Sequence, residues 1–214
     1  WNVKRKGTKS ITKSVPGPHN LQSGLPFATL LKEVLGKANT LADAKKIINS
    51  NEIKIDGIAR KNFRFPVGLF DTVEFATGER FRIVLNKKGK LDAVQISQEE
   101  ASLKPCKIIG KTIVRGKLQL NLYDGKNILT GNNGHNVGDT ILIKLPGQLI
   151  TMHFKLDKKS TIFLTGGKHI GDMGKVEDIA KNRIVYKNDE GSLIETSKKY
   201  AFVIGDDKPS VTIK

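Results

Sequence analysis

The side chains in this sequence that could do chemistry are mostly lysines and arginines. The chain of 214 residues carries 37 Lys and Arg against 21 Asp and Glu, a formal net charge of +16. These side chains do not by themselves make or break covalent bonds. They neutralise phosphates and release the counterions condensed on a nucleic acid. An excess of this size therefore indicates a polyanionic partner.

The first cluster of cations lies at the start of the chain. The first twenty residues contain no acidic side chain, include two glycines and two prolines, and show no apolar periodicity. Such a stretch cannot bury enough surface to fold alone. We interpret residues 1–24 as a basic N-terminal arm that becomes ordered on a partner, with a solvated tail as the alternative. Its candidate contact residues are Lys4, Arg5, Lys6, Lys9 and Lys13.

Two helices are predicted after the arm. Apolar residues from Leu25 to Leu35 recur at steps of three and four, and Gly36 follows as a C-cap. Thr40 with Asp43 resembles a capping box, which predicts that a second helix starts there. The apolar stripe of this second helix is predicted at Leu41, Ala44, Ile47 and Ile48.

A hairpin is predicted next. Residues 53–55 alternate with period two, and the turn pair Asp56-Gly57 leads to Ile58. Residues 65–68 are interpreted as a turn and residues 71–75 as another short strand. Basic residues beside these elements could face a polyanion, namely Lys37, Lys45, Lys46, Arg60, Lys61 and Arg64.

The chain after residue 80 is predicted to be rich in short strands. Turn pairs such as Arg115-Gly116 and Asp124-Gly125 separate apolar runs of four to eight residues, which is typical of a small barrel or sandwich. One helical turn is predicted at Ser97 to Glu100 from its capping pattern. A glycine-rich loop over residues 166–174 lies among the last strands. Three modules in series are the simplest division of the chain.

Motifs for catalysis, metals and membranes are missing or incomplete. Gly110-Lys111-Thr112 lacks the preceding glycine of a phosphate-binding loop, and residues 166–171 lack the spacing of a dinucleotide-binding loop. The four histidines are scattered, and Cys106 is the single cysteine, which excludes an intrachain disulfide and fits a reducing compartment. The longest apolar stretches are far shorter than the ~18 residues of a membrane span. We therefore expect a soluble protein that is not an enzyme and has no cofactor or metal.

Two motifs resemble modules of RNA-associated proteins. Residues 30–75, with Lys54-Ile55-Asp56-Gly57 at the hairpin and Val67 to Val73 leading into a strand, resemble the αL-type RNA-binding module. Gly166 to Val176 resembles the KOW motif of ribosomal proteins and transcription elongation factors. Their order, with Pro16-Gly17-Pro18-His19 before the first, is similar over nearly the whole chain to one family, the archaeal and eukaryotic small-subunit ribosomal protein S4e.

This resemblance implies a particular fold. The expected class is α+β and mostly β, with a basic N-terminal arm, an αL-type RNA-binding module of two helices plus a short sheet, a central β-domain and a C-terminal KOW barrel that is SH3-like. The expected domains are residues 1–24 for the arm, 25–78 for the αL-type module, 79–157 for the central β-domain and 158–214 for the KOW barrel.

The resemblance also implies a structural, rRNA-binding role in the cytoplasmic ribosome, with small-subunit rRNA and neighbouring ribosomal proteins as partners. No membrane or small-molecule substrate is expected. Lys45 and Arg60 fall where the αL-type module tends to place basic residues, whereas Leu41 stands where many such modules carry Arg. His19, in the motif before the first module, is a further candidate RNA-binding residue. Lys168, His169 and Lys175 flank the glycine-rich loop and are candidate contacts to RNA or a neighbouring protein, with turn geometry alone as the alternative reason for the glycines. Because the chain stops soon after residue 213, it looks like an archaeal member.

Two alternatives remain open at this point. An RNA-modifying enzyme with an αL-type accessory module would need an acidic catalytic cluster, which the region after residue 80 does not display. A transcription elongation factor would use the glycine-rich loop to contact polymerase, but the αL-type module and the basic arm would then have no purpose.

Overall fold

A computed structural model describes residues 3, 11–50, 53–131 and 134–213. The chain divides into two compact units, the first formed by residues 1–86, 90–104 and 213–214 and the second by residues 87–89 and 105–212. Short helices and several antiparallel sheets give a mostly β fold of the α+β class, as predicted. In the described part of the chain, no helix is both long enough and apolar enough to cross a membrane.

Within its described residues, the first unit contains three helical segments and seven strands. Helix α1 is α-helical over Phe27–Thr29 and π-helical over Leu30–Val34, α2 is Leu41–Asn49 and α3 is Gln98–Ala101. The strands are β1 (Gly24–Pro26), β2 (Ile53–Ile55), β3 (Ile58–Ala59), β4 (Pro66–Gly68), β5 (Thr72–Phe75), β6 (Arg80–Leu85) and β7 (Leu91–Gln95). Strands β1 and β4 form a two-stranded sheet, and the others form a five-stranded sheet in the order β3-β2-β5-β6-β7.

The second helix has the start that the sequence predicts. The Thr40 hydroxyl accepts a hydrogen bond from the backbone N–H of Asp43, and the Asp43 carboxylate accepts one from the backbone N–H of Thr40. This reciprocal pair confirms the capping box. Ala44 and Ile48 are buried as expected, but Leu41 is 41% exposed, so the stripe prediction is wrong at that residue. The Leu41 side chain therefore lies outside the core, while Ala44 of the same turn is fully buried.

The first predicted helix starts later than the apolar spacing indicates. Residues 24–26 form a strand that pairs with residues 66–68, so the prediction of a turn at residues 65–68 is wrong. In this pair Pro26 lies opposite Pro66. A two-stranded sheet has only edge strands, where proline is tolerated because its missing N–H donor is not needed there. Pro26 then precedes the helical segment, and Gly36 follows it with φ +62°, as the predicted C-cap requires.

A buried ionic cluster joins distant parts of the first unit. The Lys104 Nζ lies 2.7 Å from Asp56 Oδ2 and 2.5 Å from Asp71 Oδ1. Asp71 also accepts hydrogen bonds from His19 Nε2 at 2.9 Å and from the Gly68 backbone N–H at 2.9 Å. The side chains of Lys104, Asp71 and His19 are at most 2% exposed. Burial alone would raise the pKa of Asp71, but the Lys104 and His19 charges outweigh it and hold that pKa well below its ordinary value.

In the described residues, the second unit contains ten strands in two five-stranded sheets, counting β8, whose first two residues belong to the first unit. The strands are β8 (Leu103–Val114), β9 (Lys117–Leu122), β10 (Asn127–Thr130), β11 (Thr140–Lys144), β12 (Leu149–Phe154), β13 (Thr161–Leu164), β14 (Met173–Ala180), β15 (Arg183–Asn188), β16 (Leu193–Ser197) and β17 (Ala201–Gly205). The sheet orders are β10-β9-β8-β11-β12 and β16-β15-β14-β13-β17. A 3₁₀ turn at Lys198–Tyr200 precedes the last strand.

One sheet of the second unit packs its buried apolar residues in a single cluster. Residues of β8, β9 and β11 pack in one cluster that includes the fully buried Cys106. Strands β11 and β12 pair as an antiparallel hairpin. The glycines of the loop at 166–174 pack within the unit, because Gly166 lies against the Tyr200 ring and Gly174 against the Lys187 carbonyl. This favours turn and packing geometry as the reason for those glycines.

One lysine of the second unit should give stability an unusual pH dependence. The Lys107 Nζ donates hydrogen bonds to the carbonyls of Lys199 at 3.0 Å and Ala201 at 2.5 Å. Burial, with a smaller contribution from the Lys198 cation, lowers the pKa of Lys107 from 10.5 to about 8. Between these two values the unfolded chain holds a proton that the folded chain has released, so the free energy of unfolding rises with pH.

We expect urea unfolding of the second unit to need more denaturant at pH 9.5 than at pH 7.5. The Lys107→Met variant should lose most of this rise, since it has no proton to release. The exposed Lys144→Met change serves as the control and should keep the wild-type rise. Equal pH dependence in wild type and Lys107→Met would show that Lys107 does not titrate differently in the two states.

Candidate nucleic-acid interface

A set of cations surrounds the segment of residues 60–65 in the first unit. The Lys45 Nζ, carried by α2, lies 4.4 Å from the centroid of the Phe63 ring. The guanidinium carbon of Arg60 lies 4.6 Å from the centroid of the Phe65 ring. Each cation is attracted to the negative face of its ring, which fixes the position of a long side chain that would otherwise be mobile.

The arm meets the same segment. The Arg64 Nε donates a hydrogen bond to the Lys13 carbonyl at 2.9 Å, and the backbone N–H of Val15 donates to the Arg64 carbonyl at 3.0 Å. The side chains of Lys13, Lys61 and Arg64 are exposed. We call the residues on and around this segment the basic face, and its members are Lys13, Lys45, Arg60, Lys61 and Arg64.

Two more predicted residues lie near these elements but differ in their surroundings. Lys46 is exposed on α2 beside Lys45. The Lys37 Nζ instead donates hydrogen bonds to both carboxylate oxygens of Glu79, at 2.7 and 2.8 Å. This hydrogen bond is the main reason that the pKa of Glu79 lies below its ordinary value. The charge of Lys37 is thus already partly neutralised within the protein.

His19 has a different environment from the other predicted contact residues. It is 5% exposed, and its ring nitrogen bonds to Asp71 inside the ionic cluster. A ring so enclosed has no polar surface to offer a ligand, so the interface that we propose below leaves His19 out. The arm residues Lys4, Arg5, Lys6 and Lys9 lie outside the described residues.

The predicted residues of the glycine-rich loop lie in the second unit, close to acidic side chains. Lys168 is exposed at the loop. His169 Nδ1 lies 3.5 Å from Asp172 Oδ2, and the Lys175 Nζ lies 3.3 Å from Asp207 Oδ1. These pairs are partly or largely exposed, so each is worth little to stability but reduces the charge that the loop presents.

Sequence reasoning misses the aromatic rings beneath Lys45 and Arg60. Phe63 and Phe65 are half-buried, and nothing in their local spacing indicates which cations they meet. Alternating Arg, Phe, Arg and Phe over residues 60–65 is the only available signal, because such interleaving is a feature of nucleic-acid-binding surfaces. Among residues 11–50, 53–131 and 134–213, the structure contains no group of three or more His, Cys, Asp or Glu placed to hold a metal ion.

A strongly basic chain that presents cations on a helix and on the loop packed beside it is typical of one class, the nucleic-acid-binding proteins. Comparison with known proteins narrows the class. A sequence model described as "Ribosomal family S4e" matches residues 77–150. The small ribosomal subunit protein eS4 of Methanocella arvoryzae is 37% identical over 99% of this chain and 92% of its own length. The protein of that name from Archaeoglobus fulgidus is also 37% identical, over the whole of this chain and 93% of its own length.

A solved structure agrees with these relatives. The crystal structure of the 30S ribosomal protein S4e from Thermoplasma acidophilum matches with a TM-score of 0.73 and 28% identity, over 88% of this chain and 97% of that one. The identity and coverage together show that this chain belongs to the ribosomal protein S4e family.

Proposed function

We propose that this protein is a structural constituent of the small ribosomal subunit, where it binds and stabilises rRNA without catalysing a reaction. Its cellular location is then the cytoplasmic ribosome, and its partners are small-subunit rRNA and adjacent ribosomal proteins. Membership of the S4e family supports the assembly. The observation that carries rRNA binding is the basic face, where two cations are held in place over aromatic rings.

The modules expected from the sequence are part of this proposal. An αL-type RNA-binding module over residues 25–78 is supported by the capped helix α2 and by the hairpin turn at Asp56 and Gly57, both with positive φ. The five-stranded sheet of this unit continues beyond residue 78 to Gln95. A KOW barrel over residues 158–214 is supported by the five antiparallel strands β13 to β17. The remaining domains are the arm at residues 1–24 and the central β-domain at residues 79–157.

The basic face suits the RNA backbone better than unpaired bases. Proteins that bind single strands stack successive bases on exposed aromatic rings. Here aromatic residues make up 6% of the chain, and cations cover Phe63 and Phe65. Folded RNA presents phosphates and 2′-hydroxyls at the outside of A-form helices, whose major groove is too narrow for side chains. The face therefore recognises charge and shape.

Salt dependence tests this function. If the protein makes about 6–10 phosphate contacts, its affinity for small-subunit rRNA fragments in a filter-binding assay should fall by roughly 10³–10⁵-fold between 50 and 200 mM salt. This magnitude is that of duplex DNA, and a smaller salt slope per contact for RNA would give a smaller decrease. An uncharged polymer of similar size is the control for retention on the filter. Affinity that stayed constant from 50 to 500 mM salt would count against a phosphate-binding role.

A further inference from the structure

The central part of the second unit has an unusual distribution of charge. Residues 105–156 contain seven basic residues and two acidic residues. The two acidic residues, Asp124 and Asp139, are 1% and 4% exposed. The described surface of this segment therefore presents cations without exposed carboxylates. Residues 157–214, by contrast, hold eleven basic and nine acidic residues.

The hairpin of β8 and β9 concentrates this charge at a projecting end. All residues from Lys111 to Lys117 are exposed, and Arg115 and Gly116 form the turn with φ +50° and +75°. Strand β10 ends where Thr130 pairs with Leu118, so within the described part of the chain β10 does not continue alongside the tip. The tip thus extends beyond the apolar core that supports the rest of the sheet.

One face of the hairpin carries a ladder of uncharged polar groups. By strand register Thr112 lies opposite Gln119, and Gly110 lies opposite Asn121. The Gln119 Nε2 donates a hydrogen bond to Asn121 Oδ1 at 2.9 Å, and the Asn121 Nδ2 donates to Thr112 Oγ1 at 3.2 Å. The ladder holds amide and hydroxyl groups in fixed positions, and each retains further capacity to donate or accept.

We propose that the β8–β9 hairpin is a second RNA-binding site, which takes the sugar-phosphate backbone along the minor groove of an A-form duplex. This inference rests on the proposed function but uses residues separate from the basic face. The A-form minor groove is wide and shallow and displays 2′-hydroxyls between two lines of phosphate. Arg115 and Lys117 match the phosphates, and the Thr112, Gln119 and Asn121 ladder matches the 2′-hydroxyls.

The apolar residues of the tip are compatible with the same ligand. Ile113 is 77% exposed and Val114 is 36% exposed. Successive side chains of a strand point to opposite faces. Val114 therefore shares the face of Thr112 and Gln119, where it can lie over sugar rings, and Ile113 lies on the other face. The absence of any acidic residue from 101 to 123 favours RNA over a basic protein partner.

The test uses the full chain and a charge-matched control. The Arg115→Gln/Lys117→Gln variant is compared with Lys144→Gln/Lys155→Gln, which removes two exposed cations from the same segment but not from the hairpin. Each protein is titrated against small-subunit rRNA at several salt concentrations. We expect the hairpin variant to reduce the log–log salt slope by about two and affinity by roughly ten-fold or more at 100 mM salt. The control should change affinity by less than about three-fold.

A second measurement addresses the ladder. A Thr112→Val/Gln119→Met variant keeps the charge and approximate shape, and it is titrated against a 20-base-pair RNA duplex and a DNA duplex of the same sequence. We expect its preference for RNA over DNA to fall several-fold, because only RNA has the 2′-hydroxyl. Circular dichroism of every variant should match the wild type, since these residues lie outside the core.

The outcomes separate this inference from the proposed function. Equal reductions of affinity in the hairpin variant and its control would overturn the second site while rRNA binding itself stands. Unchanged rRNA affinity combined with failure of the hairpin variant to enter small subunits would also overturn it, in favour of a protein contact. Absence of rRNA binding by the wild type would overturn both.

Discussion

The Lys104→Met variant should lose about 3–5 kcal/mol of the free energy of unfolding of the first unit. The substitution removes the cation that lies within 2.7 Å of both Asp56 and Asp71. Methionine fills a similar volume, so packing changes little. The buried carboxylates of Asp56 and Asp71 then lose the Lys104 cation that offsets the cost of burying their charges. Removal of one partner from a buried ionic group costs far more stability than loss of an exposed ion pair.

The measurement is hydrogen exchange combined with urea unfolding. The backbone N–H of Gly68 donates to Asp71 and responds directly to the cluster, so its protection should fall in the variant. Lys54→Met is the matched control, since Lys54 is exposed on β2 of the same unit, and we expect it to change stability by less than ~0.5 kcal/mol. A reduction below about 1 kcal/mol in Lys104→Met would mean that the cluster relaxes or admits water.

The same cluster explains a limit of sequence reasoning. His19 follows a proline-rich segment, Asp56 lies in a hairpin turn, Asp71 directly precedes β5 and Lys104 lies at the start of β8. Each has an ordinary local interpretation, and no spacing between them points to a common site. A charge count describes all four as parts of a solvated surface, because burial of an ionic group depends on tertiary pairing that a local pattern does not contain.

Local features are easier to predict for a physical reason. The capping box at Thr40 and Asp43 and the turns at Asp56-Gly57 and Arg115-Gly116 depend on interactions between residues a few positions apart. The strand at residues 66–68 escapes prediction because its partner lies about forty residues earlier in the chain. Pro66 and Gly68 fit the local pattern of a turn as well as that of an edge strand. Only the pairing with residues 24–26 shows that the segment is a strand.

In the candidate site, too, features set by nearby residues are predictable from the sequence and contacts between distant residues are not. Exposure of Lys45 and Lys46 follows from their position off the apolar stripe of α2, and the structure has both exposed. The arrangement of Lys45 over Phe63, eighteen residues away, does not follow from any periodicity. Whether each predicted residue contacts RNA stays a prediction. What the structure adds is a group of cations whose geometry can be tested as a unit.

The Lys45→Gln/Arg60→Gln/Lys61→Gln variant should weaken binding to small-subunit rRNA on the order of a hundred-fold at 100 mM salt. Each cation that neutralises a phosphate releases condensed counterions, so the log–log salt slope should fall by about one for each phosphate that the variant leaves unneutralised. Glutamine keeps much of the side-chain length and removes the charge. Because Lys45 and Arg60 are held over aromatic rings, the wild-type face loses little side-chain entropy on binding.

The control removes the same charge from another part of the chain. Lys158→Gln/Lys181→Gln/Lys187→Gln changes three exposed lysines within residues 157–214, where nine acidic residues accompany eleven basic ones. We expect this control to reduce rRNA affinity by less than about ten-fold. Equal reductions in the two triple variants would mean that net charge alone determines binding. A reduction confined to the first variant would mean that the position of the cations on the basic face determines binding, because both proteins carry the same total charge.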